Sequence, residues 1–151
     1  MASPAQPAIA LVVDASVAAK WHLDDEDHVA EATLLLERFG RGEVELLAPT
    51  QIRFEVPSTF TVATLGQNPR LTVTEARSAI EEFLSLAITV IDDDQLVLSA
   101  FDLSQQYNCA MYDALYAALS QRLGIPFITA DQRLYQRIRS LPEVIWIADY
   151  Q

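Results

Sequence analysis

The chain has 151 residues, 51% of them hydrophobic and 21% charged, and its 21 acidic residues against 10 basic ones give a formal charge of −11. That length and apolar content suit one domain with a well-buried core and exclude intrinsic disorder. The single cysteine, Cys109, excludes an internal disulfide framework and a multi-cysteine zinc site, while the acidity means that a nucleic-acid backbone would be repelled unless local arginine or a metal ion intervened.

Residues 1–8 read as a flexible, proline-containing tail ahead of a single domain over 9–151. No basic residue precedes the apolar stretch Ile9–Val13, so it does not read as a secretory signal, and no run approaches the ~18 apolar residues of a membrane helix. A cytoplasmic protein is the expectation. Ile9–Val13 fits a strand buried on both faces, with a short helix over Ala15–Trp21 after Asp14. Asp24–Asp27 reads as a solvated, dipole-favoured start to a helix in which Val29, Ala32, Leu35, Leu36 and Phe39 recur at helical spacing. Leu34, Leu35 and Leu36 together offer more apolar surface than one helix face hides.

Val44–Ala48 is a second strand, and Gln51–Leu65 a helix that Pro57 is expected to interrupt or kink. A helix starts at Thr74, a third strand covers Ala87–Ile91, and Asp92–Asp94 opens a helix to about Tyr107. In the next helix, Tyr112–Leu123, an apolar stripe runs through Tyr112, Leu115, Tyr116 and Leu119, and Gly124 caps the end. Phe127–Thr129 is a strand, Asp131–Arg139 a short helix and Val144–Ile147 the last strand. This alternation implies an α/β fold, a three-layer α/β/α sandwich on a mainly parallel sheet of about five strands.

In such sheets, sites form beyond the carboxyl ends of the strands. Asp14 and Asp131 follow strands directly, and Glu55 and Asp113 sit early in helices able to reach the same place. Four carboxylates together repel one another, an arrangement that makes physical sense around a divalent cation; oxygen-only ligands favour Mg²⁺ or Mn²⁺. Each acid also has a plain structural reading, as a turn residue or a helix cap. The four glycines fall outside any dinucleotide or phosphate-loop pattern, and no Gly-x-Ser-x-Gly is present. A phosphoacceptor receiver domain would carry a late lysine, whereas the sole lysine is Lys20. His22 and His28 read as surface residues, and the tryptophans and tyrosines as packing residues rather than base-stacking ones.

Val12-Val-Asp-Ala-Ser-Val17, Arg53-Phe-Glu-Val-Pro-Ser-Thr-Phe60 and the block Tyr112–Leu134 resemble the acidic motifs of the PIN-domain family, specifically the VapC-type toxin ribonucleases of toxin–antitoxin pairs. The resemblance runs from about Ile9 to Ile147. It implies that Asp14, Glu55, Asp113 and Asp131 form the catalytic and metal-binding site, with Asp14 and Asp113 as direct Mg²⁺ (or Mn²⁺) ligands and Ser16 and Thr129 holding metal-bound water. It further implies an endoribonuclease acting on RNA phosphodiester bonds, a cognate VapB-type antitoxin and a homodimer. One departure is Ser58, where many relatives carry asparagine three residues after the second acid, with Pro57 beside it. A catalytically weak PIN-like domain serving as a protein-binding module is the alternative expectation. Four arginines against Asp131 make Leu119–Leu141 locally basic, and Arg133 and Arg137, four apart on one helix face, join Arg53 as candidate RNA-phosphate contacts.

Overall fold

Residues 7–151 are described by a computed structural model, so residues 1–6 of the expected tail lie outside the described residues. Its strands are β1 (Ile9–Val13), β2 (Val44–Pro49), β3 (Thr89–Ile91), β4 (Phe127–Thr129) and β5 (Val144–Trp146). They form one all-parallel sheet in the order β3-β2-β1-β4-β5. β1 is central, and Leu11, Val12 and Val13 are buried, which explains its unbroken apolar run: a parallel strand covered on both faces has no solvent side to alternate with. In register, Leu11 pairs with Leu46 of β2 and Val12 with Phe127 of β4.

The helices are α1 (Ala15–Ala18), α2 (Val29–Gly40), α3 (Ile52–Ala63), α4 (Val73–Ser85), α5 (Gln95–Tyr107), α6 (Met111–Leu123) and α7 (Gln132–Ile138). The chain steps outward from β1 to β2 and β3, then returns past β1 to β4 and β5. Right-handed crossovers put connections running in opposite directions on opposite faces, which makes the three-layer α/β/α sandwich. α6 lies across β1, β2 and β4 with α5 packed against it, and α2 packs on β2. Phe60, Tyr116, Phe127, Ile128 and Ile147 are fully buried, and the rings of Tyr116 and Phe127 stack at 5.9 Å. No helix among the described residues is long and apolar enough to cross a membrane.

Several local expectations are corrected. α3 runs unbroken through Pro57 to Ala63. Proline there removes the N–H that would bond the Arg53 carbonyl, but Arg53 is exposed, so that carbonyl is left to solvent rather than buried unpaired. The start of α4 is set by a capping box: Thr72 Oγ1 accepts from Glu75 N at 3.1 Å, while the Glu75 carboxylate accepts from Thr72 N at 2.7 Å. Asp24–Asp27 precedes α2, whose N-cap is His28 in a left-handed conformation (φ 61°). Part of this acidic run is neutralised across the chain, with Arg70 gripping Asp25 and Glu26 and Lys20 pairing with Glu26 at 2.9 Å. His22 is half-buried, its Nε2 2.9 Å from Glu82 and its ring edge-on to Phe60. Leu35 is buried and Leu34 and Leu36 are half-buried, so α2 leaves no large apolar surplus.

Candidate active site

The chain reverses direction beside β1, so a crevice opens where the carboxyl ends of β1 and β4 diverge toward different connections. Asp14 ends β1 and is only 4% exposed. Its Oδ2 accepts hydrogen bonds from Ser16 Oγ and from Thr129 Oγ1, both at 2.7 Å. Each hydroxyl has its single proton committed to Asp14 and uses its lone pairs on the β4 exit: Ala130 N donates to Ser16 Oγ at 3.0 Å, and Asp131 N to Thr129 Oγ1 at 3.1 Å. Ser16 and Thr129 therefore lock the ends of two strands together and aim one carboxylate. They satisfy only Oδ2 and, among the described residues, leave Oδ1 free of side-chain partners.

The other three acids arrive from helix starts. Glu55 lies in the first turns of α3 and Asp113 in the first turn of α6; both are half-buried. The buried Tyr116 donates its hydroxyl to Glu55 Oε1 at 3.0 Å, whereas the Asp113 carboxylate accepts no protein hydrogen bond among the described residues. Asp131 is the N-cap of α7, accepting from Leu134 N at 2.9 Å through Oδ1. All four acids line one cleft of about 670 Å³ together with Ser16, Phe54, Ser58 and Tyr112.

Electrostatics mark the cleft as strained by like charge. Burial pushes the Glu55 carboxyl up to about 7 against the hydrogen bond from Tyr116, and the Asp14 and Asp113 charges add to the rise. Burial, then Asp14 and Asp131, push Asp113 up to about 6. Burial also raises Asp14, opposed by its two hydroxyl donors. No lysine or arginine among the described residues forms an ion pair with any of the four, although Arg70, Arg41, Arg77 and Arg122 are all engaged with acids elsewhere.

This donor set is chemically suited to a hard divalent cation: carboxylate oxygens, one of them rigidly aimed, in a site whose charge nothing else offsets. The four share the cleft without converging, and no three acidic, histidine or cysteine side chains among the described residues are gathered around one point.

A family model described as PIN domain matches residues 11–139. The chain belongs to the PIN domain family. Solved structures of similar shape share little sequence with it. PAE2754 from Pyrobaculum aerophilum is 20% identical, with a TM-score of 0.64 over 93% of this chain and 92% of that one. A toxin–antitoxin complex from Klebsiella pneumoniae is 18% identical, with a TM-score of 0.58 over 89% and 95%. The sarcin-ricin-loop-cleaving toxin VapC20 of Mycobacterium tuberculosis is 16% identical, with a TM-score of 0.62 over 83% and 93%. No curated protein matches.

Within this PIN domain the candidate RNA contacts fall away from the cleft. Arg53 lines a narrow groove with Leu84, Leu86 and Ile88, and Arg133 and Arg137 are exposed on α7, where Arg137 donates to the Asn108 carbonyl at 2.6 Å. Tyr112, expected in the apolar stripe, is 63% exposed at the cleft, and Phe54 is 71% exposed there. The signal available for both was adjacency: each directly precedes a cleft acid in a helix, where neighbouring residues are ~100° apart.

Asp131 carries two separable roles, and two substitutions divide them. Asp131→Asn keeps an oxygen for Leu134 N and is expected to leave the melting temperature nearly unchanged. Asp131→Ala loses the cap as well, at about 1 kcal/mol. Equal melting temperatures for the two variants would show that the cap contributes nothing.

Proposed function

We propose that this PIN domain is a Mg²⁺- or Mn²⁺-dependent endoribonuclease that hydrolyses RNA phosphodiester bonds, the toxin component of a type II toxin–antitoxin pair. One observation carries the reading: four carboxylates line the switch-point cleft and no cationic side chain among the described residues pairs with any of them. A purely structural cluster would be neutralised from within, as Asp25 and Glu26 are by Arg70. Family membership supports the reading, as do structural relatives that include an RNA-cleaving toxin and a toxin–antitoxin complex.

Asp14 and Asp113 are the residues to hold the ion directly, with Glu55 and Asp131 completing its surroundings. When bound, a divalent cation supplies Lewis acidity toward a phosphoryl oxygen and lowers the pKa of water. The protein's own part is orientation. Ser16 and Thr129 fix Asp14 from behind, and Tyr116 holds Glu55 by Oε1, leaving Oε2 to accept a hydrogen bond from the attacking water. Arg133 and Arg137, exposed on the helix that Asp131 caps, would hold phosphates beyond the cleft. Val62 of α3, Leu65 in the loop after it and Val73 of α4 are exposed, as are Leu98 and Phe101 on α5; these are apolar surfaces that a VapB-type antitoxin and a second copy of the chain would cover.

The alternative of a non-catalytic, protein-binding PIN domain draws on the absence of a gathered three-ligand cluster among the described residues. Calorimetric titration with Mn²⁺ separates the two. Wild-type protein is expected to bind, and Asp113→Asn to bind at least about tenfold more weakly. Absence of binding by the wild type would favour the binding module.

A further inference from the structure

We propose that Phe54 and Tyr112 are base-stacking residues that hold the unpaired RNA bases flanking the phosphate presented to the carboxylates. This assignment rests on the nuclease reading above and adds the groups that grip the substrate. Aromatic side chains of this size are normally buried when their role is structural. Here they are 71% and 63% exposed, and both line the cleft that contains Asp14, Glu55, Asp113 and Asp131. Each directly precedes an acid of that cleft, Phe54 before Glu55 and Tyr112 before Asp113. Gln51 Nε2 donates to the Tyr112 carbonyl at 3.1 Å, fastening the start of α3 to the start of α6, so the helix turns that carry the two aromatics are joined.

Charge decides why stacking is needed. Single-strand grooves combine cations that follow the backbone with aromatic faces that take the bases. This cleft has no arginine or lysine in its lining, so the aromatic faces must supply much of the grip. Stacking also selects the substrate, because the flat faces of bases inside a duplex are already covered by their neighbours. A protein partner is the competing occupant. The aromatics, however, rim the acidic cleft, whose lining shares no residue with the apolar groove of Val73, Ala76 and Ile80 beside α3.

Stopped-flow mixing of the protein and Mn²⁺ with a short unpaired oligoribonucleotide carrying 2-aminopurine tests the proposal. Stacking is read as fluorescence quenching before cleavage, and KM is read from cleavage itself. The wild type is expected to quench and to cut. Phe54→Leu and Tyr112→Leu keep apolar bulk without an aromatic face; each is expected to relieve quenching and raise KM about tenfold with kcat little changed. Tryptophan at either position should restore both signals. If the wild type cuts while the leucine variants quench and bind as it does, stacking is overturned and the nuclease reading stands, with the aromatics left as protein contacts. If the wild type neither quenches nor cuts, both readings fall.

Discussion

Asp14→Asn is expected to reduce RNA cleavage on the order of a thousandfold or more while raising the melting temperature. The loss follows from removing the charge of the one rigidly aimed carboxylate, the proposed metal ligand; several kcal/mol of transition-state stabilisation correspond to that factor. The gain in stability follows from the same surroundings. Asp14 is 4% exposed, burial raises its pKa, and Asp131 nearby raises it further, so its ionised form at neutral pH is a cost to the fold. Asparagine keeps a carbonyl oxygen that can accept from both Ser16 and Thr129, and its amide takes the place of the free Oδ1. The expected gain is about 1 kcal/mol, or a rise of a few degrees in Tm. Undiminished cleavage by the purified variant would refute the site. A lower Tm would mean that Asp14 serves the fold and not the chemistry.

The second expected result is a fall in stability as pH rises from about 4 to about 7, reversed by Mn²⁺ at the upper end. Burial and the neighbouring carboxylates raise Glu55 from an ordinary 4.5 to about 7 in the fold, and Asp113 from 3.8 to about 6. Between those values the native protein holds protons that the unfolded chain has released. Their contribution is therefore complete below about pH 4 and lost as pH passes the folded values. For two half-buried groups, after allowance for solvent screening, the combined loss is about 2 kcal/mol. Asp25, Glu26, Glu43 and Glu75 shift downward through arginine, lysine or capping contacts, so their stabilisation is lost only as pH falls through the acid range. The two effects occupy separate windows and leave a maximum at about pH 4. At pH 7.5, Mn²⁺ at one hundred times its dissociation constant should restore about 2.7 kcal/mol, because it binds only where the carboxylates are assembled. Thermal melts at stepped pH, with and without Mn²⁺, read both effects. A profile flat from pH 5 to 7.5 would show that Glu55 and Asp113 do not share a crowded site.

The candidate carboxylates could be found from sequence because strand ends are local features. An apolar run closing on an acid, as at Asp14, marks the site edge of a parallel sheet whatever lies around it. Glu55 and Asp113 were legible by their motifs and their places in early helix turns. The arginines were not. Net basic charge over Leu119–Leu141 says nothing of direction, and the structure places Arg53 in a groove with Leu84, Leu86 and Ile88 while Arg122 is paired with Asp93. Pro57 does not interrupt α3: helix propensity counts the lost hydrogen bond without its surroundings, and here the orphaned carbonyl belongs to an exposed residue.

The sequence alone determined the alternation of strands and helices, the parallel sheet they imply and the acids that end or flank the strands, because periodicity and chain breaks are written within single elements. Tertiary structure alone decided that Ser16 and Thr129 join on one oxygen of Asp14, that Arg70 answers Asp25 and Glu26, and that Phe54 and Tyr112 stand exposed beside the carboxylates. Thr129 and Asp14, like Arg70 and its two acids, are far apart in the chain. The meeting of Thr129 with Asp14 depends on the strand order β3-β2-β1-β4-β5, in which the fourth strand returns to the side of the first, and no local pattern specifies that return.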